Sequence, residues 1–478
     1  MRVYADRWCF LLCAVLAACS RRPSPTTCEL GGVDKARHAE MVRAGLTNSG
    51  CAGAGAVALL DHHAELQLRL SPPSLVGQGE VLLRALAPTN VVQLDSAGLR
   101  IASVSSRGAS LHFNQVGDST CLELSQPIAA GDELTLALRW EAQTGARGAT
   151  FSAKQAWTGA RTPLWLPTKL GPAQQANLSL TLTVPDDLTL VGSYSQPVFS
   201  TRLGDGLARA NYQVTAATSP SLYAFAVGHF RKASYHSPGF LRYALSAVGP
   251  PDADLEGVLE LTVPMFEFLF ERTGAKPATA YAQVFVHGEA AQEALGLSLI
   301  PERVLRELQA DPTDDGIIAH QLAHQWFGVL VPIADIADLW LSEGFATFMV
   351  AAIKERRGGQ AAYNQEVLNW RTRSHEMRDC GGDTPVALPR PQGSSTNGGT
   401  EAGLRTSEVV YYRGALVLDK LRRELGERAF WEGIRRYVAE QAGKPSRTDD
   451  FKRALTATSG RDLKAFFDRW VYAAAPDL

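Results

Sequence analysis

The hydrophobic pattern changes period once, near residue 240, and this change limits the possible folds more than any other feature. Before it, "AELQLRL" (64–70), "GEVLLRAL" (79–86), "ANLSLTLTV" (176–184) and "SLYAFAVGHF" (221–230) mostly alternate apolar and polar residues, with Gly, Pro, Asp and Ser between the runs. Side chains of a strand point to opposite faces in turn, so this pattern predicts half-buried strands in an antiparallel sandwich- or saddle-like domain. After it, "ADLEGVLELTVPMFEFLFERTG" (253–274) carries apolar residues three and four apart and reaches Gly274, a helix stop. Helices are expected at 314–330, 335–357, 361–378, 407–425, 427–442, 447–458 and 461–472, with "AYAQVFVHG" (280–288) as a strand and a turn-rich stretch at 381–404. The expected fold is therefore multidomain: an antiparallel β domain over 57–235, then a mainly helical α+β domain over 236–478.

The first residues read as a targeting segment. Arg2 and Arg7 precede an apolar run, Cys9 to Ala18, too short to span a bilayer but suited to the core of a secretory signal. Its end, Leu16-Ala17-Ala18-Cys19, resembles a bacterial lipobox, which implies a signal peptide at 1–18 and lipidation of Cys19; an ordinary signal cut after Ala18 is the other reading. Lipidation implies a membrane-anchored protein outside the cytoplasm, and Ser20 resembles the outer-membrane sorting type. Residues 19–56 then form a tether and N-terminal extension. Cys28, Cys51, Cys121 and Cys380 remain, an even number that suits disulfides in an oxidising compartment; Cys28–Cys51 is the expected pair. A net charge of −2 provides no basic field, so nucleic acid is not an expected partner. The neighbouring His62 and His63 point to opposite sides of any strand and are expected in a solvated loop rather than on a metal.

The chemistry gathers in the second domain. "DDGIIAHQLAHQWFGVL" (314–330) places His320 and His324 four apart, on one face of a helix. "DLWLSEGFATFM" (338–349) places Glu343 nineteen residues after His324 on a second helix. Two imidazoles and one carboxylate leave a fourth position open on zinc, the arrangement of a catalytic site. Asp338, one turn before Glu343, reads either as a group orienting a ligand histidine or as a solvated helix charge.

H-Q-L-A-H-Q-W-F-G followed by W-L-S-E-G-F-A resembles the zinc aminopeptidases of the membrane alanyl aminopeptidase (aminopeptidase N) family, which are gluzincins. The resemblance covers roughly 57–475 and implies a thermolysin-like peptidase domain with one zinc ion on His320, His324 and Glu343. "HGEAAQEALGLSLI" (287–300) aligns with the family's amine-binding segment, which puts Glu293 on the carboxylate that pairs with a substrate's free α-amine. "VVYYRGALVLDKL" (409–421) puts Tyr411 on the tyrosine that hydrogen-bonds the developing oxyanion and leaves Tyr412 to packing; "DLKAFFDRWVYAAAP" (462–476) resembles the close of the catalytic domain. The implied partners are peptides with a free N-terminus, and Glu293 disfavours an endopeptidase.

Gln321 departs from the pattern, because the family has a glutamate there as general base. An amide is not basic near neutral pH, and losing one positioned acid/base costs about 10²–10⁴-fold. Asp314 and Asp315 lie about a turn and a half before His320, too far along the helix to be expected to take over. Ala290, Gln292, Ala294, Leu295 and Ser342 also differ from the family's residues. Two expectations follow: an aminopeptidase with weak or lost activity, or a non-catalytic descendant that binds peptides or a partner protein at a retained metal site.

Overall fold

The structure is a computed structural model that describes residues 50–142, 149–159, 162–171, 174–193, 199–238, 242–288, 291–379, 384–387 and 409–474. The expected signal, Cys19, the tether, Cys28, Cys380 and most of 381–404 lie outside the described residues.

The first part is β structure, as its alternation implies. Strands β1 (Val57–Leu70), β2 (Pro73–Ala85), β3 (Thr89–Asp95), β4 (Leu99–Ser106), β5 (Ala109–Ser110), β6 (Phe113–Val116), β7 (Ser119–Ile128) and β8 (Glu133–Ala142) follow one another through short turns. After β9 (Ala149–Phe151) and β10 (Gln155–Thr158) come β11 (Ala176–Pro185), β12 (Thr189–Gly192), β13 (Phe199–Arg202), β14 (Leu207–Thr218) and β15 (Phe225–Gly228). They form an eight-stranded sheet in the order β13-β14-β11-β1-β2-β8-β4-β5, a four-stranded sheet β12-β15-β10-β9 and a three-stranded sheet β3-β7-β6. Alternate residues of β1 and β11, among them Leu66, Leu68, Leu178, Leu180 and Leu182, are buried in one apolar core.

Two expectations for this part are corrected. The "DHHAEL" stretch is not a solvated loop: His62 and His63 lie within β1, at the middle of the large sheet. The opposite facing of neighbours holds, and it sends His62 inward, where its Nε2 lies 2.9 Å from the Pro167 carbonyl, while His63 stays exposed. Cys51 is bonded to Cys121, not to Cys28. The Cys51 N–H donates to the Gln93 side chain, and Gln93 faces Cys121 across the β3–β7 pair, so sheet register rather than nearness in sequence selects the partner.

The second part begins with a five-stranded sheet, β16-β17-β18-β20-β19, built from β16 (Arg231–His236), β17 (Ala244–Gly249), β18 (Ala280–Val286), β19 (Gln292–Ala294) and β20 (Leu297–Pro301). The β17–β18 and β18–β20 pairs are parallel, and β19 closes the edge as an antiparallel hairpin with β20. Helix α1 (Leu255–Thr273) starts on Asp254, whose side chain accepts the Gly257 N–H, and stops at left-handed Gly274, as its sequence predicts. The remaining helices are α2 (Arg303–Ala310), α3 (Gly316–Ala323), α4 (Trp340–Asp379), α5 (Gly414–Leu425), α6 (Glu427–Gln441), α7 (Thr448–Ser459) and α8 (Lys464–Trp470). The run α4 is two helices meeting at Gly359, whose φ of 73° and ψ of −172° are non-helical, in the gap between the helices expected at 335–357 and 361–378; the first of them starts at Trp340 rather than 335. The run's apolar length passes for a membrane span by composition, but 89% of that window is buried inside the protein. A third apolar cluster joins the two parts: Trp157, Val191, Ala224 and Ala226 pack on Val248, Ala282, Val284 and Leu299. The chain is thus a β-sheet-rich N-terminal domain followed by a mainly helical domain.

Candidate metal centre and substrate cleft

Helix α3 carries the first histidine and ends sooner than its apolar pattern suggests. The expected helix 314–330 stops at Ala323, and His324 is its C-terminal cap. The following residues fold back: the Val329 N–H donates to the His324 carbonyl, the Gly328 N–H to the Val331 carbonyl, and Gly328 takes a φ of 118° that only glycine adopts readily. A Cβ on Gly328 would stand 2.6 Å from the Ser342 hydroxyl, so this turn must be bare to lie against α4.

That close approach orients a ligand. His324 Nδ1 lies 3.1 Å from Ser342 Oγ and 3.1 Å from the Phe327 carbonyl, and the Ser342 hydroxyl donates to the same carbonyl at 2.9 Å. The hydroxyl proton is therefore committed to Phe327, so Nδ1 carries the imidazole proton and both oxygens accept it. This leaves the lone pair on His324 Nε2, which points at His320 Nε2, 3.0 Å away. Glu343, on the first turn of α4, brings Oε2 to 3.4 Å from His320 Nε2 and 3.2 Å from His324 Nε2.

These separations test whether a metal fits. Three ligands about 2.0–2.1 Å from a tetrahedral zinc lie about 3.3 Å from one another. The observed 3.0, 3.4 and 3.2 Å match that triangle. Glu343 Oε2 is buried and, close as it is to both imidazoles, is aligned for a hydrogen bond with neither. The three ligand atoms all lie within 4.8 Å of one another. Among the described residues, His320, His324 and Glu343 form the only such metal-competent group. Burial by itself would raise the Glu343 carboxyl, but the His324 and His320 imidazoles hold it well below the ordinary carboxylate range.

Gln321 follows the first ligand on α3. A helix turns about 100° per residue, which sets this residue about 60° round from His324. The side chain is 2% exposed, and its Oε1 is buried without a hydrogen-bond partner. Asp315 is buried at the start of α3, where its Oδ2 is ion-paired with Arg357 from α4, which ties it to the helix start and away from the ligands. Asp338 is not a solvated charge. It is buried, and its Oδ1 accepts the Thr448 N–H at 2.9 Å and the Thr448 hydroxyl at 2.8 Å, tying α4 to α7. His324 is oriented by Ser342, which the sequence marked only as a departure from the family's residue.

The two other predicted residues reach this region by separate routes. Glu293 is buried on β19 and faces Ser298 of β20 in register. The Ser298 hydroxyl lies 3.4 Å from the Gln321 carbonyl. Gln325, just past α3, donates from Nε2 to the Ala294 carbonyl at 3.0 Å and accepts the Gly296 N–H on Oε1 at 3.1 Å, so the hairpin is fastened to the end of the ligand helix. Tyr411 lies in a wide π-type turn, Val409–Arg413, and its ring stacks on His320 with centroids 5.9 Å apart and planes 19° from parallel. Such turns recur at functional sites. A Cβ on Gly344 would meet Gly414 Cα and the Val410 carbonyl at 3.0 Å, so bare backbones hold the Tyr411 turn against the residue next to Glu343.

Comparison with known proteins agrees with this geometry. The profile described as "Peptidase family M1 domain" matches residues 281–470. Aminopeptidase N of Streptomyces lividans is 29% identical over 229 residues, 46% of this chain and 26% of the relative. Endoplasmic reticulum aminopeptidase 1 of Rattus norvegicus is 25% identical over 430 residues, 82% of this chain and 45% of the relative. The chain thus spans from about a quarter to under half of these relatives' length. The M1 zinc metallopeptidase of Deinococcus radiodurans superposes with a TM-score of 0.70 at 23% identity, covering 89% of this chain and 96% of that one. Its E323A variant bound to Tyr-Ser-Ala superposes at 0.72 with 22% identity, covering 91% and 98%. The His-His-Glu triangle and this similarity together make the centre a site for one zinc ion, and residues 281–470 of the chain match the peptidase family M1 domain, with aminopeptidase N among the proteins it is similar to.

Proposed function

We propose that the protein engages peptides through their free N-terminus at an aminopeptidase zinc centre whose proton-transfer residue is missing, so that turnover is weak or lost. The observation that carries this reading is Gln321, an amide buried beside the ligands at the general-base position. When bound, zinc supplies Lewis acidity and lowers the pKa of a water towards about 7. His320, His324 and Glu343 hold it, and Ser342 fixes the His324 tautomer. Glu293 pairs with the α-ammonium, which sets the first peptide bond against the metal. Tyr411 donates to the oxygen that gains charge. Gln321 hydrogen-bonds the attacking water but neither removes its proton nor protonates the leaving amine. Asp315 does not substitute, because Arg357 already holds it.

Two-domain M1 zinc metallopeptidase E323A variants have been solved with Tyr-Ser-Ala, with L-tryptophan and with L-arginine. Those ligands support a second reading for this chain, a non-catalytic zinc protein that binds peptides or amino acids. The proposal also includes secretion through residues 1–18 and lipid anchoring at Cys19 in the cell envelope, supported by the lipobox-like Leu16-Ala17-Ala18-Cys19. The deciding experiment measures zinc content and aminoacyl-arylamide hydrolysis for the natural protein and Gln321→Glu. Stoichiometric zinc in both, with hydrolysis rising about 10²-fold or more in the variant, is the expected result. Full activity in the natural protein would refute the loss of turnover, and zinc in neither would refute the centre.

A further inference from the structure

We infer that the hydroxyls of Tyr281 and Ser298 position the metal ligands, by holding the one carbonyl in the last turn of α3 that the backbone leaves open. The inference rests on the zinc centre and stands whether or not that centre turns over peptides. The last carbonyls of a helix have no partner further along it and must be satisfied by other means. In α3 the His324 N–H donates to the His320 carbonyl, the Gln325 N–H to Leu322, and the Trp326 and Phe327 N–H groups to Ala323. Among the described residues, no backbone N–H reaches the Gln321 carbonyl, which lies between the two histidine ligands in sequence.

Two buried side chains of the five-stranded sheet fill that gap. Ser298 Oγ is 3.4 Å from the Gln321 carbonyl oxygen, and the Tyr281 hydroxyl is 2.8 Å from Ser298 Oγ. A carbonyl only accepts, so the Ser298 proton goes to Gln321 and the Ser298 oxygen accepts from Tyr281. Burial pushes the Tyr281 hydroxyl above its ordinary value, so it stays a donor. Hydrogen bonds in such a chain polarise one another, which strengthens a contact that is long by itself. The sheet supplies the reach: β18 and β20 are parallel with Gln283 beside Ser298, and Tyr281 stands two residues earlier on the same face of β18. The Gln321 peptide is thus held between His320, in the last turn of α3, and His324, its C-terminal cap. Swinging that peptide changes the angle at which the two imidazoles approach one ion, so the hydroxyl pair acts on the metal through the backbone rather than by touching it.

The test compares the natural full-length protein with Ser298→Ala, with Ser298→Ala plus Tyr281→Phe, with Ser298→Thr and with Ser446→Ala. The last is the control, because the buried Ser446 hydroxyl also pairs with a tyrosine, Tyr437, at 2.9 Å and among the described residues bonds no metal ligand. Zinc affinity is read by competition with a chelator, ligand geometry by the visible bands of the cobalt(II)-substituted protein, and stability by urea unfolding of the apo protein. Ser298→Ala should bind zinc about tenfold more weakly, the lower end of losses behind a metal ligand, with shifted cobalt bands. Adding Tyr281→Phe removes the tyrosine hydroxyl left unpaired, so stability should partly recover while zinc affinity and cobalt bands stay as in Ser298→Ala. Ser298→Thr keeps the hydroxyl and should keep the natural affinity and bands. Ser446→Ala should lose stability with affinity and bands unchanged. The double variant also decides the matter where Ser298→Ala alone does not fold. Natural zinc affinity and cobalt bands in the double variant, or affinity that recovers together with stability, would overturn the inference and leave the centre intact. A natural protein that binds no zinc would overturn the centre and the inference with it.

Discussion

Removing the Ser342 hydroxyl should weaken zinc binding without unfolding the protein. In Ser342→Ala, His324 Nδ1 loses the acceptor at 3.1 Å but keeps the Phe327 carbonyl at the same distance. The tautomer therefore survives while the ring loses one of its two restraints. Losses of partners behind a metal ligand span about 10–100-fold in affinity, and the retained carbonyl places this one at the lower end, about tenfold or ~1.4 kcal/mol. The fold should lose one modest hydrogen bond, Ser342 to Phe327, about 1 kcal/mol. Zinc affinity is read by competition with a chromophoric chelator, and stability by urea unfolding of the apo protein. Thr347→Val is the control, because that hydroxyl is buried one turn further along α4 and bonds only the Glu343 carbonyl, at 2.8 Å. It should cost similar stability and leave zinc affinity within about twofold. A Ser342→Ala protein whose zinc affinity matches the natural one, or falls no further than that of Thr347→Val, would refute the orienting role.

Three other outcomes follow from the same coordinates. Gly328→Ala should destabilise the apo protein by about 2–3 kcal/mol and also weaken zinc, since its φ is 118° and its Cβ would meet Ser342 Oγ at 2.6 Å; unchanged urea midpoints would contradict this. His62 is fully buried and its pKa is lowered from 6.5 to about 4, chiefly by desolvation. The unfolded chain therefore binds more protons between those values, so stability should fall by roughly 3 kcal/mol as pH drops from about 6.5 to 4; His62→Gln should flatten that slope in denaturant titrations. The Cys51–Cys121 bond closes a loop of sequence separation 70, for which chain entropy gives about 4 kcal/mol, so Cys51→Ser with Cys121→Ser should lose a large share of that in urea. A loss below about 1 kcal/mol would show that the loop is already restrained in the unfolded chain.

The metal ligands were legible because each has a local signature: two histidines one helical turn apart, and a glutamate at a fixed remove on an apolar helix. The two-part fold was legible for a similar reason, since the change from alternating to three-and-four spacing is a property of neighbouring residues. What stayed hidden depends on contacts between segments distant in sequence. Asp338 became a tie to α7 because Thr448, far along the chain, supplies both donors. His62 turned inward because β1 sits at the centre of an eight-stranded sheet, beyond what one strand's pattern reveals. The early end of α3 lacked a proline or an obvious stop, and the cause is Gly328, whose backbone must lie against Ser342. Ser342 stood out only as an unexpected letter, and its meaning needed the Phe327 carbonyl placed beside it by that same turn.

Gln325 joins the end of the ligand helix to the β19–β20 hairpin with one donated and one accepted backbone hydrogen bond, and neither involves a metal ligand. The placement of Glu293 relative to the end of the ligand helix is thereby fastened by the polypeptide's own hydrogen bonds. If Glu293 anchors an amine as proposed, the ruler of the site is laid down when the chain folds, before any ion arrives.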